Sequence, residues 1–129
     1  MDFQMSSSPR IIPVYTTRGD LGAYLVYPYI LNRTGEWIGW VTPERLVYSV
    51  HGHYVGYLDN GPRILRKVSD SFDRPKRSPP QPPQRITLPV TVPLAPLMPE
   101  LTFGIVDVLE ESPELLPSVD FGELREDMD

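Results

Sequence analysis

One twelve-residue phrase is written three times between Val14 and Leu58, and it constrains the fold more tightly than any other feature of the chain. The copies are VYTTRGDLGAYL from Val14, ILNRTGEWIGWV from Ile30 and VYSVHGHYVGYL from Val47. They align without gaps at offsets of 16 and 17 residues. Each has an apolar pair, three mostly polar residues and a glycine, then a run in which a small residue precedes an aromatic. Alternating β-branched and aromatic residues bounded by Gly, Pro, Asn and Asp read as strands and turns. Strands are expected near Ile11–Thr16, Asp20–Val26, Tyr29–Asn32, Glu36–Thr42, Leu46–Val50, His53–Leu58 and Arg63–Val68. Gly19, Gly35 and Gly52 stand where a tight hairpin needs positive φ. Thr42–Arg45 and Asp59–Pro62 close the alternate turns. The fold class is therefore all-β, a meander of short antiparallel hairpins.

Neighbouring residues on a strand point to opposite faces, so strict alternation sorts the second strand of each copy. Leu21/Ala23/Leu25, Trp37/Gly39/Val41 and Tyr54/Gly56/Leu58 fall on one face. Asp20/Gly22/Tyr24, Glu36/Ile38/Trp40 and His53/Val55/Tyr57 fall on the other. A glycine in mid-strand usually marks close approach by another backbone. Equivalent small positions imply equivalent approaches, as around an axis. A fourth copy is split: Ile64–Lys67 fits its first strand, and Leu101–Val106 is a candidate second strand with Gly104 in the place of Gly39 and Gly56. The alternative is a lone edge strand over Thr102–Val108.

Proline and charge divide the chain. Nine of the sixteen prolines fall between Pro75 and Pro99. Residues 1–85 hold 11 Lys/Arg against 7 Asp/Glu, whereas residues 86–129 hold 1 against 10. The organisation expected is a disordered N-terminus over 1–10, a repeated-hairpin domain over 11–68 and a Pro-rich loop or linker over 69–99. Residues 100–129 then supply a strand completing the β domain and an acidic docking tail. The linker reading makes removal of Ser78–Gln84 a mild change. No Cys is present, so disulfides and thiolate chemistry are excluded. No signal-like apolar core or membrane-length run occurs, and a soluble cytoplasmic protein is the expectation.

The stretches Val14–Tyr29 and Gly35–Pro43 resemble the bacterial "4-fold beta flower" family, and the ending Val119–Asp129 is loosely similar to the ends of some members. The resemblance covers residues 14 to 67 well. It implies approximate four-fold β architecture, a small barrel or flower. The family carries no established activity, so no catalytic residue transfers.

Signals of chemistry are few. His51 and His53 offer two imidazoles, short of the three or four ligands that a metal site wants. Two His and no Cys leave little for a nucleophilic triad. Arg18-Gly19-Asp20 and Asn32-Arg33-Thr34 read as turns rather than as an adhesion tripeptide or a sequon. No glycine-rich phosphate loop opens a helix. Neither metal nor cofactor is implied. Asp20, Glu36 and His53 at the strand entrances would be the only seat for an enzyme.

Two features bear on function. Tyr24, Trp40 and Tyr57 form an aromatic row suited to stacking sugars or unpaired bases, or else to packing. Pro80–Arg85 fits a PxxPxR pattern and favours polyproline II, as a ligand or as a stiff spacer. The reading these support is a non-catalytic structural or protein-interaction protein. The alternative is a small module binding glycan or single-stranded nucleic acid on the aromatic row. Self-association through aromatic contacts is expected, because a β body of about 60–75 residues buries only ~60% of its chain's surface. The acidic tail is expected to dock at Arg63, Arg66 and Lys67, or on another protein; nucleic acid and membranes are not implied as partners.

Overall fold

The computed structural model describes residues 10–70 and 74–118. Eight antiparallel strands form one sheet in sequence order, each bonded to its successor. They are β1 (Ile12–Tyr15), β2 (Leu21–Val26), β3 (Tyr29–Leu31), β4 (Trp37–Val41), β5 (Leu46–Ser49), β6 (Tyr54–Leu58), β7 (Ile64–Lys67) and β8 (Ile105–Asp107). A four-residue helix α1 (Val108–Glu111) and a 3-10 turn (Pro113–Leu115) follow. The N-terminal stretch 1–9 and the tail Val119–Asp129 lie outside the described residues.

The repeat is a repeat of turns. Thr16, Asn32 and Ser49 each donate a backbone N–H to the carbonyl four residues on, at 2.7, 2.8 and 2.8 Å. Their side-chain oxygens accept the N–H of Asp20, Glu36 and His53 in return. Gly19, Gly35 and Gly52 close these turns at φ of 97°, 91° and 89°, which a residue with a Cβ adopts only under strain. At the opposite end, Thr42 and Asp59 cap their turns by the same device. Each outer turn also holds the next hairpin. Val41 donates to the Pro28 carbonyl and Leu58 to that of Arg45, while Tyr15 donates to Pro62 and so returns the sequence to β1. The sheet therefore curls until its first and last hairpins meet.

Strict alternation fails inside every complete hairpin. The pairing register shifts between Val14 and Tyr15, between Ile30 and Leu31, and between Val47 and Tyr48. Opposite each shift one residue is left over, namely Gly22, Ile38 and Val55. A bulge of this kind adds one residue to one strand and turns the rest over. Ile38 and Val41 consequently share the inner core, as do Val55 and Leu58, with Val14, Ala23, Leu25, Ile30, Val47 and Ile64. Trp37, Trp40 and Tyr54 belong to separate clusters on the other face. The two faces drawn by alternation thus exchange partners midway.

The fourth hairpin is formed by β7 and β8, with Leu65 opposite Asp107 and Lys67 opposite Ile105. Gly104 does not stand in for Gly39 and Gly56. It is a turn residue at φ 87°, whose carbonyl accepts the Val68 N–H at 2.7 Å. The mid-strand glycines do mark close approach. A Cβ on Gly39 would lie 2.6 Å from the Tyr48 carbonyl oxygen, and one on Gly56 would collide with that of Leu65.

Candidate functional site

The row Tyr24, Trp40 and Tyr57 does not open onto one groove. Tyr24 is buried with Val26, Leu31, Trp37 and Val50, beneath Ile86, Leu88 and Val92 of the Pro-rich segment. Trp40 stacks on Tyr48 with ring centroids 5.1 Å apart, and Tyr54 meets Tyr48 edge-on. Arg74 lies 3.9 Å from the Tyr54 ring centroid, and Arg77 sits 5.3 Å over Tyr48. Tyr57 is half-buried, and burial, with the Asp59 carboxylate second, pushes its hydroxyl pKa up. Burial likewise raises Tyr54, whose hydroxyl donates to Asp70 at 3.2 Å. Tyr57 is thus left half-exposed, while packing claims the aromatic surface around Tyr24 and Trp40.

What covers it is the segment Arg74–Pro99, which behaves as a belt. It starts at the third hairpin, where the Arg77 N–H donates to the Gly52 carbonyl at 3.0 Å. It passes the second, where Tyr29 donates to the Gln81 carbonyl and Leu88 touches the open side of Gly35. It reaches the first, where Tyr15 donates to Pro93 and Ala95 lies against Gly19. It ends at the fourth, with Met98 beside Gly61 and the Pro99 carbonyl accepting from Arg63. The belt visits the hairpins in the order third, second, first, fourth, possible only because the sheet has curled round. Polyproline II rises ~3.1 Å per residue, so these 26 residues span ~80 Å. Eight strands ~4.8 Å apart make ~38 Å of backbone circumference, leaving enough belt to pass outside the side chains.

Burial along the belt follows the three-residue period of that helix on either side of Leu88 and Pro89, where half-buried Leu88 takes the inward place and Pro89 is exposed. Pro80, Pro83, Ile86, Val92, Ala95, Met98 and Leu101 are turned inward, and the residues between them are exposed apart from Leu88. The PxxPxR pattern is disposed of by the same period: Pro80 and Pro83, the prolines that it would present, face the sheet. Outward stand Val90, Leu94 and Leu97, at 100%, 96% and 99% exposure, and Phe103 follows at 105%. Composition pointed to the helix type. Its docking was signalled only by the inward spacing of Ile86, Val92, Ala95 and Met98.

The basic trio expected to receive the tail is divided. Arg63 is buried. Its guanidinium binds Asp59 at 2.9 and 3.0 Å, the Thr17 hydroxyl at 3.2 Å and the Pro99 carbonyl at 3.0 Å. Arg66 is half-buried and donates to the Asp70 carbonyl, while Lys67 is exposed at the end of β7. Among the described acidic residues of the C-terminal segment, Glu110 accepts the Arg18 N–H at 2.8 Å. Beside it, buried Asp107 accepts both the N–H and hydroxyl of Thr17 and caps α1 through the Leu109 N–H. Asp59, Arg63, Thr17 and Asp107 thus sew the first hairpin, the last hairpin and the belt's end together. Burial pushes the Asp107 carboxyl pKa up, against the pull of its Thr17 hydrogen bonds.

Inside the curl, Leu109 and Leu116 fill the mouth at the end bearing Gly19, Gly35 and Gly52. A Cβ on Gly22 would lie 2.6 Å from Leu109 Cδ1, and one on Gly39 would lie 2.9 Å from Leu116 Cδ2. Two clefts flank this plug. One is lined by Arg18, Asp20, Asn32 and Arg33, the other by His51, His53 and Tyr54. Asp20 and His53 therefore belong to different clefts, and Glu36 is engaged by the Asn32 amide at 2.8 Å. The three do not converge. Among the described residues, no group of three or more His, Cys, Asp or Glu is placed to hold a metal, and no helix is long and apolar enough to cross a membrane.

No curated protein and no solved structure matches the chain. A family model does, and its match runs over residues 12–104, from the start of β1 through the belt to the glycine that closes the fourth hairpin. Four hairpins on one curled sheet agree with that family's four-fold description, and the chain belongs to the 4-fold beta flower proteins.

Proposed function

We propose that the protein is a non-catalytic interaction module that self-associates through the outward face of its belt. The observation that carries this is the exposure of Val90, Leu94 and Leu97, each at 96% or more. A polyproline II strap must show two residues in three to solvent, and prolines or polar residues would serve there. Each large aliphatic left in water instead forgoes roughly 1.5–3 kcal/mol of burial. A row of them on one strap differs from singly scattered surface apolars and marks a contact surface.

The strap is pre-ordered by its prolines and by its inward anchors, so binding through it costs little further conformational entropy. A second copy is the occupant that the row fits, since a two-fold axis lays the same patch on itself. Aliphatic belt residues rather than the covered aromatics would then make the contact. Light scattering at micromolar concentration tests this. The wild-type chain should be a dimer or larger, and Leu94→Glu/Leu97→Glu should be monomeric with an unchanged melting temperature when dilute. A monomeric wild type would refute the reading.

A further inference from the structure

We propose that the mouth of the flower is a peptide groove, held shut by this chain's own Leu115-Leu116 turn, whose partner is an acidic segment of another protein carrying adjacent leucines. The groove is built in the inner face. Gly39 has no side chain to keep a leucine out, and Leu116 Cδ2 lies 2.9 Å from where a Gly39 Cβ would stand. The plug beyond α1 is lightly held. Among the described residues, the backbone bonds of Ser112, Leu115 and Leu116 all run to their own segment, to Val108, Ser112 and Pro113. No hydrogen bond ties residues 112–118 to the sheet. Leu116, 5% exposed, and half-buried Leu115 supply the grip. One leucine's burial corresponds to a closing constant of roughly 10–100. A partner therefore sees an affinity reduced by that factor, the fraction of open molecules setting the loss.

The occupant shows the chemistry that the groove accepts. It is a short turn with two leucines and a following proline, carrying Glu110, Glu111 and Glu114. Arg18 and Arg33 stand exposed at the rim, and apart from the occupant's own Glu110 and Glu111 the acid lining that cleft is Asp20. Clefts remain on both sides of the turn, so a longer segment has more mouth to fill than the plug uses. A helical turn that lays apolar anchors into a groove, with charge at the rim setting orientation, is a recurrent mode of peptide recognition.

The test uses the full chain, its Leu116→Asp variant and a labelled synthetic peptide of residues 110–118. The variant should bind the peptide at least tenfold more tightly than the wild type. A peptide with both leucines replaced by serine should not bind, and Arg18→Glu/Arg33→Glu should weaken binding several-fold. Equal affinity of wild type and folded variant would overturn the proposal, as would failure of the folded variant to bind. Should Leu116→Asp not fold, the wild type is titrated with peptide while its amide resonances are followed. Saturable shifts at Gly22 and Gly39 are then required, and their absence sinks the idea. In the Leu94→Glu/Leu97→Glu background, where the belt contact is removed, dimers formed without peptide between chains with and without Leu116→Asp would assign the groove to a second copy and overturn the partner named here. Leu94→Glu/Leu97→Glu should leave peptide binding unchanged, which keeps this result separate from self-association through the belt.

Discussion

Thr17 donates both its backbone N–H and its hydroxyl to one carboxylate oxygen of Asp107, at 2.8 and 2.7 Å, across 90 residues of sequence. No hydrogen-bonded ladder joins β1 to β8 among the described residues, so this pair holds the two ends of the curled sheet. The neighbouring Arg63 shares the Thr17 hydroxyl at 3.2 Å. Removing the carboxylate strands the half-buried Thr17 donors, each at a cost of ~1–3 kcal/mol at most, and uncaps α1 for ~1 kcal/mol. Asp107→Ala should lower stability by about 2–4 kcal/mol in urea denaturation. A loss within ~0.5 kcal/mol, ordinary for a surface change, would show that the sheet ends are held by other contacts.

The same residue gives a pH dependence of definite sign. Burial raises the folded-state pKa of Asp107 above its ordinary value, so the folded chain binds this proton more readily than the unfolded chain. The resulting contribution to stability is fully present below the unfolded pKa and is lost as pH rises through the folded one. Relative to Asp107→Asn, the wild type should lose stability as pH climbs through the mildly acidic range above ~4, and then level off. Urea midpoints of both proteins across that range decide the matter. A difference that does not move, or that grows in the wild type's favour with rising pH, would contradict it.

Gly39 and Gly104 separate crowding from backbone strain. A side chain at Gly39 would meet the Tyr48 carbonyl at 2.6 Å and Leu116 at 2.9 Å, so Gly39→Val should cost ~1–3 kcal/mol by overpacking. At Gly104 nothing lies within 4 Å, but φ is 87°, so Gly104→Ala should cost ~1 kcal/mol by strain alone. Clearing space next to Gly39, by Leu116→Ala, should relieve part of the first variant's cost, the Tyr48 carbonyl staying in place, and leave the second untouched. A denaturation midpoint unchanged or raised in Gly39→Val would end the close-approach account.

These residues also mark where the sequence was legible. The hairpin turns could be read because Gly19, Gly35 and Gly52 answer a steric demand that few other residues meet. The bulges at Gly22, Ile38 and Val55 could not, since an extra residue in one strand has no composition of its own. They moved Trp37 and Ile38 to faces that alternation denied them. Gly104 reads as mid-strand in the sequence because glycine serves both a turn and a close approach. The aromatic row was visible and its burial was not, because the covering Ile86, Leu88 and Val92 sit in a stretch whose prolines read as linker. Arg63 read as a surface charge because the groups that bury it, Thr17 and Pro99, are distant in sequence.

The belt supplies the last prediction, and it reverses the expectation that losing Ser78–Gln84 is mild. Those seven residues represent ~22 Å of polyproline II. On one side Arg77 is fixed to Gly52, and on the other Ile86 and Leu88 pack on the cluster around Trp37. A belt shortened by that much cannot hold both anchors. Either Arg77 leaves the aromatic rings or Ile86 and Leu88 leave Tyr24 and Trp37, exposing at least two large apolar side chains. The deletion should therefore cost at least ~3 kcal/mol and shift tryptophan emission to longer wavelength. Truncation after Arg85 also removes β8, leaves β7 as an open edge and should aggregate. By contrast, Gln84→Ala alters an outward-facing side chain and should change stability by less than ~0.5 kcal/mol. If the deletion variant melted with the wild type and kept its emission maximum, the belt would be a passenger on the flower and the aromatic surface beneath it would be free to bind.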